Sequence, residues 1–157
     1  MAQTKVNTEH DMIRKSVKSL CERFPETYWQ ETDEREEYPT SFVQALTDEG
    51  WLSVLIPEQY GGAGLGMTEA SIVLEEINRS GGNAGACHAQ MYTMGAILRH
   101  GSEEQKQRFL PKIASGEARL QAFGITEPTA GSDTTSIETF AQKEGEKYIV
   151  NGQKIWT

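Results

Sequence analysis

The stretch Gly124-Ile125-Thr126-Glu127-Pro128-Thr129-Ala130-Gly131-Ser132-Asp133 packs hydroxyls and small side chains into one loop. Small side chains let backbone N–H groups close on an anionic ligand. After one hairpin-like segment comes Asn151-Gly152-Gln153-Lys154-Ile155-Trp156-Thr157, in which Trp156 offers a flat aromatic face for a planar ring. Each residue also has a plainer reading. Thr126 could satisfy a backbone group at a strand end, Ser132-Asp133 could make a turn, and Trp156 could belong to a core.

Other chemistry-bearing residues point to less. Glu75-Glu76 are adjacent on a helix, so they do not converge on one substrate; a solvated face with a salt bridge to Arg79 is expected. His10, His88 and His100 show no metal-ligand spacing with acidic partners, and no metal site is expected. Gly61-Gly62-Ala63-Gly64-Leu65-Gly66 lacks the Lys-Ser/Thr of a phosphate-binding loop and reads instead as a turn that lets backbone pass close to a helix. Cys21 and Cys87 sit far apart and read as buried free thiols.

The elements that must position these residues divide by periodicity. Up to Arg119 the pattern is helical. Met12, Ile13, Val17, Leu20, Cys21 and Phe24 recur at helical spacing, with Thr8 as a cap. Residues 25–38 read as a connector with a short helical turn. Ser41 to Glu49 is a helix stopped by Gly50. Residues 51–56 are a buried connector or a strand. Thr68 caps the next helix, and a further one, from Asn83 to His100, is rich in Ala and Met. Plain close packing, or the wall of a pocket, would each explain that composition. Ser102 and Gln105 form a capping box, Pro111 is expected to bend or interrupt the helix that follows, and Gly116 closes it. Beyond Arg119 come β-like runs at 120–126, 137–142, 147–150 and 153–157, with Asn151-Gly152 as a two-residue hairpin signal. The predicted fold class is α+β. Residues 1–119 form an all-α domain, and residues 120–157 form the first strands of an antiparallel β domain.

A net charge of −8 argues against nucleic-acid binding. No apolar run reaches the ~20 residues of a membrane span. The first residues lack a secretory signal's apolar core and an Arg-rich transit character, so a cytoplasmic location is expected, or the mitochondrial matrix for a processed eukaryotic protein.

Gly124 to Ser136 resembles the signature of the acyl-CoA dehydrogenase family: small, aliphatic, Thr, Glu, two free positions, small, Gly, Ser, Asp, two free positions, small. Residues 151–156 are similar to that family's second flavin-contacting segment. Pro57-Glu58-Gln59-Tyr60-Gly61-Gly62, Gly101 to Lys106 and Leu110 to Gly116 resemble further family segments in the same order.

The resemblance implies an FAD enzyme that performs α,β-dehydrogenation of an acyl-CoA thioester. A carboxylate base removes an α proton while the β hydride passes to FAD, and hydrogen bonds polarise the thioester carbonyl. Carried over by position, Phe123, Gly124, Ile125, Thr126, Glu127, Pro128, Thr129, Ala130, Gly131 and Ser132 contact FAD, together with Trp156 and Thr157. Ser132 also touches the acyl-CoA. Glu127 holds the loop by a charge-assisted hydrogen bond rather than acting as a base. The Ala- and Met-rich helix, with His88 on it, lines part of an acyl pocket.

The family's catalytic glutamate lies C-terminal to these motifs, so no catalytic residue is assigned and the chain is expected to be an inactive fragment of a longer protein. An electron-transfer flavoprotein as acceptor and a tetramer or dimer are implied for the full-length enzyme. Acyl-CoA oxidases and flavin-dependent monooxygenases share the architecture and remain alternatives, as does a non-catalytic helical interaction module.

Overall fold

A computed structural model describes residues 8–156. The elements in chain order are α1 (Thr8–Cys21), α2 (Glu26–Glu34), α3 (Thr40–Asp48), α4 (Met67–Arg79), α5 (Gly85–His100), α6 (Glu103–Ala114), β1 (Phe140–Glu144) and β2 (Lys147–Asn151). Short 3-10 turns occupy Trp51–Ser53, Glu58–Tyr60 and Thr134–Ser136. The chain separates into two compact units, one ending at Gln121 and the other starting at Ala122.

In the first unit, residues at helical spacing on α1 (Ile13, Val17, Leu20) are buried and pack along α4, where Ile72, Val73 and Ile77 face them. Phe42, Val43 and Leu46 of α3 complete this core. Phe24, Tyr28, Trp29 and Phe42 meet edge to face, with ring centroids 4.8–5.2 Å apart, the arrangement that ring quadrupoles favour. A second cluster joins Ile56, Tyr60, Met94, Leu110 and Ile113. There the Tyr60 hydroxyl donates to the Glu103 carboxylate.

Several sequence expectations are corrected. Residues 26–34 form a full helix, α2, because Trp29 and Tyr28 have an aromatic cluster to pack against. Helix α4 starts at Met67 with Gly66 as its N-cap, not Thr68, and Glu69 Oε2 accepts the Gly66 N–H at 2.9 Å. Pro111 does not interrupt α6, which runs through to Ala114. The Ser102–Gln105 capping box is formed, with reciprocal bonds of 2.8 and 3.2 Å. The Thr8 side chain lies outside the described residues.

Residues 51–56 are the buried connector of the two options, with Leu52, Val54 and Ile56 buried. The Gly-rich stretch folds back on this connector: Gly64 donates to Ile56 O and Leu65 to Val54 O, both at 2.8 Å. A Cβ on Gly62 would overlap the Ile56 carbonyl. The neighbour it approaches is therefore this connector rather than a regular helix.

In the second unit, β1 and β2 pair antiparallel, with Phe140 opposite Asn151 and Glu144 opposite Lys147. The hairpin turn is Gly145-Glu146, not Asn151-Gly152. Gly145 takes the left-handed backbone (φ 61°) that such turns require, while Asn151 is the last residue of β2. Residues 120–126 and 153–156 form no regular strand.

Candidate functional site

The loop of residues 124–133 is built around one buried carboxylate. Glu127 N donates to Ala130 O at 2.9 Å and Ala130 N returns to Glu127 O at 3.2 Å, closing a tight turn over Pro128 and Thr129. The Glu127 side chain is only 4% exposed. It accepts Lys154 Nζ at 2.8 Å, Thr139 N at 3.0 Å and Glu138 N at 2.8 Å. The Lys154 ammonium first, then the donors of Thr139 and Glu138, hold this carboxyl down to about 2. Each of these bonds favours the ionised form. Glu127 is thus the clamp of the loop and has no oxygen poised for proton abstraction.

Asp133 organises the next turn. Its carboxylate accepts Ser136 Oγ at 2.6 Å and Thr135 N at 3.1 Å. Ser136, then Thr135, lowers its pKa below the ordinary carboxylate range. The turn-forming role therefore belongs to Asp133 alone. Neither the Ser132 hydroxyl nor the Thr126 hydroxyl bonds to another group among the described residues. Thr126 contributes its carbonyl instead, which accepts Ile155 N at 2.9 Å.

That bond brings the two motif segments together. Lys154 Nζ also donates to Ile125 O at 2.9 Å, so residues 154 and 155 lie alongside residues 125–127. Trp156 follows with a left-handed backbone (φ 60°) and an indole that is 89% exposed. It is not a core residue in this unit. Phe123 and Ile125 are also exposed apolar side chains on the loop's strand of chain. The expected contact residues Gly124, Pro128, Thr129 and Gly131 surround the clamp as backbone and small exposed groups, while Ala130 is buried. Thr157 lies outside the described residues.

The first unit holds a separate feature, a groove of about 700 Å³ between α4 and α5. Its walls include Leu55, Leu65, Leu74 and Met91, with His88 and Tyr92. The His88 and Tyr92 rings meet edge to face at 4.8 Å. Helix α5 packs with one face and lines the groove with the adjoining one. Cys87, Gln90 and Met94 are buried packing residues, whereas His88, Tyr92, Gly95 and Ala96 line the groove. The thiols of Cys21 and Cys87 are free and buried.

The Glu75-Glu76 pair differs from its expected form. Glu76 is buried, and Arg14 on α1 reaches both carboxylates, at 2.7 Å to Glu76 and 2.8 Å to Glu75. Arg79 is the looser partner of Glu76, at 3.6 Å. The cross-helix partner Arg14 was not foreseen. Its spacing on the polar edge of α1 was the only available signal. No described helix is long and apolar enough to cross a membrane.

Comparison with known proteins connects both units to one family. The family pattern described as acyl-CoA dehydrogenase, N-terminal domain, matches residues 7–117, and the middle-domain pattern matches residues 122–157. A mitochondrial isovaleryl-CoA dehydrogenase from Bos taurus is 36% identical over 96% of this chain and 36% of its own length. Among solved structures, a glutaryl-CoA dehydrogenase in complex with glutaryl-CoA superposes with a TM-score of 0.83 at 32% identity, over 98% of this chain and 40% of that one. An acyl-CoA dehydrogenase complexed with FAD from Bacillus anthracis gives a TM-score of 0.79 at 28% identity, over 98% and 27%. The chain therefore spans well under half the length of these relatives.

Proposed function

The chain belongs to the acyl-CoA dehydrogenase family of oxidoreductases, and on that premise we propose that residues 123–132 with Trp156 and Thr157 hold FAD for the α,β-dehydrogenation of an acyl-CoA thioester. The observation that carries this reading is the pairing of Ile155 N with Thr126 O, which sets an exposed indole beside a loop with uncommitted hydroxyls. These groups suit a flavin. A flat aromatic side chain can cover a planar ring, and a hydroxyl with no internal partner can donate to its polar edge. FAD, when bound, would supply the two-electron acceptor that the side chains lack.

In this reading the chain's own residues bind and orient. Thr126 directs its hydroxyl toward the isoalloxazine and Trp156 packs against it. Ser132 serves both FAD and the thioester. Glu127 stays ionised and keeps the loop in shape through Lys154, and it moves no proton. Within the first unit, the groove between α4 and α5 has the apolar wall that an acyl group requires. A glutaryl-CoA dehydrogenase in complex with glutaryl-CoA, and an acyl-CoA dehydrogenase complexed with FAD, support these assignments as relatives of the same family.

No described carboxylate is assigned as the base, and we propose that these 157 residues alone do not turn over acyl-CoA. Electron-transfer flavoprotein as acceptor and a tetramer or dimer are part of the same proposal for a full-length enzyme.

Titration of FAD into the 157-residue chain, followed by flavin fluorescence and absorbance, tests the reading. Binding should quench the flavin and the Trp156 emission together, and Thr126→Val and Trp156→Ala should each weaken it. Saturable binding unaffected by either substitution would refute the assignment of these residues. A chain that binds no FAD would refute the flavin site altogether.

A further inference from the structure

The groove between α4 and α5 is lined by one arginine and two histidines and by no acid. Its polar lining is Ser71, His88, Tyr92, Arg99 and His100, in a chain with 23 Asp and Glu against 15 Lys and Arg. The rest of the wall is apolar or small, led by Leu55, Leu65, Met67, Leu74 and Leu98. Residues 88, 92, 95, 96 and 99 share one face of α5 at spacings of three and four, so Arg99 and the groove wall belong to one surface. Arg99 and His100 sit in the last turn of α5, where the carbonyl end of the helix favours positive charge. Arg99 nevertheless has no ion-pair or hydrogen-bond partner among the described residues.

We propose that this groove accepts an acyl group that ends in a carboxylate. The apolar stem lies against the leucines and methionines, and the Arg99 guanidinium donates to the terminal carboxylate, with His100 beside it. A plain alkyl tail would fill the same apolar wall but leave the guanidinium with water alone. The carboxylate gains a charge-assisted hydrogen bond and meets no like charge in the lining. This inference rests on the acyl-CoA reading above and names the class of acyl group within it.

The test is isothermal titration of the full chain with adipyl-CoA and hexanoyl-CoA, thioesters of equal carbon count that differ in the terminal carboxylate. Adipyl-CoA should bind about tenfold more tightly, the gain of roughly one charge-assisted bond. Arg99→Gln should abolish that preference while leaving hexanoyl-CoA unchanged. Gly95→Leu, which extends into space where no atom lies within 4 Å of a Cβ, should weaken both. Equal affinity for the two thioesters in the unaltered chain overturns the proposal and leaves the acyl-CoA reading standing. Equal weakening of both by Arg99→Gln also overturns it, because Arg99 would then touch the shared CoA portion. Binding of neither thioester overturns the proposal and the acyl-CoA reading together.

Discussion

Lys154 places its ammonium 2.8 Å from the Glu127 carboxylate and 2.9 Å from the Ile125 carbonyl, so one side chain ties the end of the described chain to the hydroxyl-rich loop. The next residue adds the backbone bond from Ile155 to Thr126. Replacing Lys154 by Met removes both side-chain bonds and leaves Glu127 with backbone donors only. Such a carboxylate is buried without its counter-charge. The expected outcome is release of residues 153–156, read as loss of hydrogen-exchange protection at the Ile155 amide that bonds Thr126 O, with about a tenfold loss in FAD affinity for one lost charged contact. Lys154→Arg should retain most of the affinity. An Ile155 amide that stays protected in Lys154→Met would refute the tether.

The same clamp sets a pH dependence. Glu127 is held at about 2 against an ordinary value of 4.5. A carboxyl with a depressed folded pKa stabilises the fold above its unfolded pKa, and that contribution is lost as pH falls toward the folded value. The loop should therefore stay fully clamped at pH 5 and above and lose stability progressively between pH 4.5 and about 2. Carboxyl carbon chemical shifts of Glu127, followed by NMR on acidification, check this. A midpoint near 4.5 would show that the clamp is not formed in solution. In Glu127→Gln the stability loss over that window should be reduced.

Much of this was legible in the sequence, for identifiable reasons. The apolar spacing of Ile13, Val17 and Leu20 reports a helix face directly, because burial of that face is what selects those residues. The Ser102–Gln105 box was legible because its bonds are local. Glu127 as a loop clamp was readable from its place before Pro128, but its partner Lys154 was not. A contact across 27 positions leaves no local signal. The hairpin was misplaced because Asn151-Gly152 and Gly145-Glu146 are both plausible turns, and strand register decides between them. Helix α2 was missed because its stability comes from Tyr28 and Trp29 packing on Phe24 and Phe42, not from a periodic stripe of its own.

Cys87 tests the core of the first unit. Its thiol is buried and pushed up to about 12 by desolvation, and the thiolate is the reactive form. Cys21 is also buried, with a raised pKa that desolvation causes first. Neither cysteine should react with a disulfide reagent such as dithionitrobenzoate in the native state, and both should react at once in denaturant. Rapid labelling of one equivalent without denaturant would show that one of these sites opens on its own.

Two glycine-to-alanine substitutions should act in opposite directions, and the contrast isolates packing from backbone propensity. Gly95 lies inside α5, where an added Cβ meets nothing within 4 Å. Alanine there should raise stability by up to about 1 kcal/mol through helix propensity alone. At Gly62 the added Cβ would overlap both the carbonyl and the side chain of Ile56, which is itself fully buried. Neither can withdraw easily, because Gly64 N bonds that carbonyl at 2.8 Å and the Ile56 side chain packs in the second cluster. Gly62→Ala should therefore cost about 1–3 kcal/mol, the usual range for overpacking a filled core. Urea unfolding of the two variants beside the parent chain measures both. A stabilised Gly62→Ala would mean that the turn does not press on Ile56 in solution, and the Gly-rich stretch would then need another explanation.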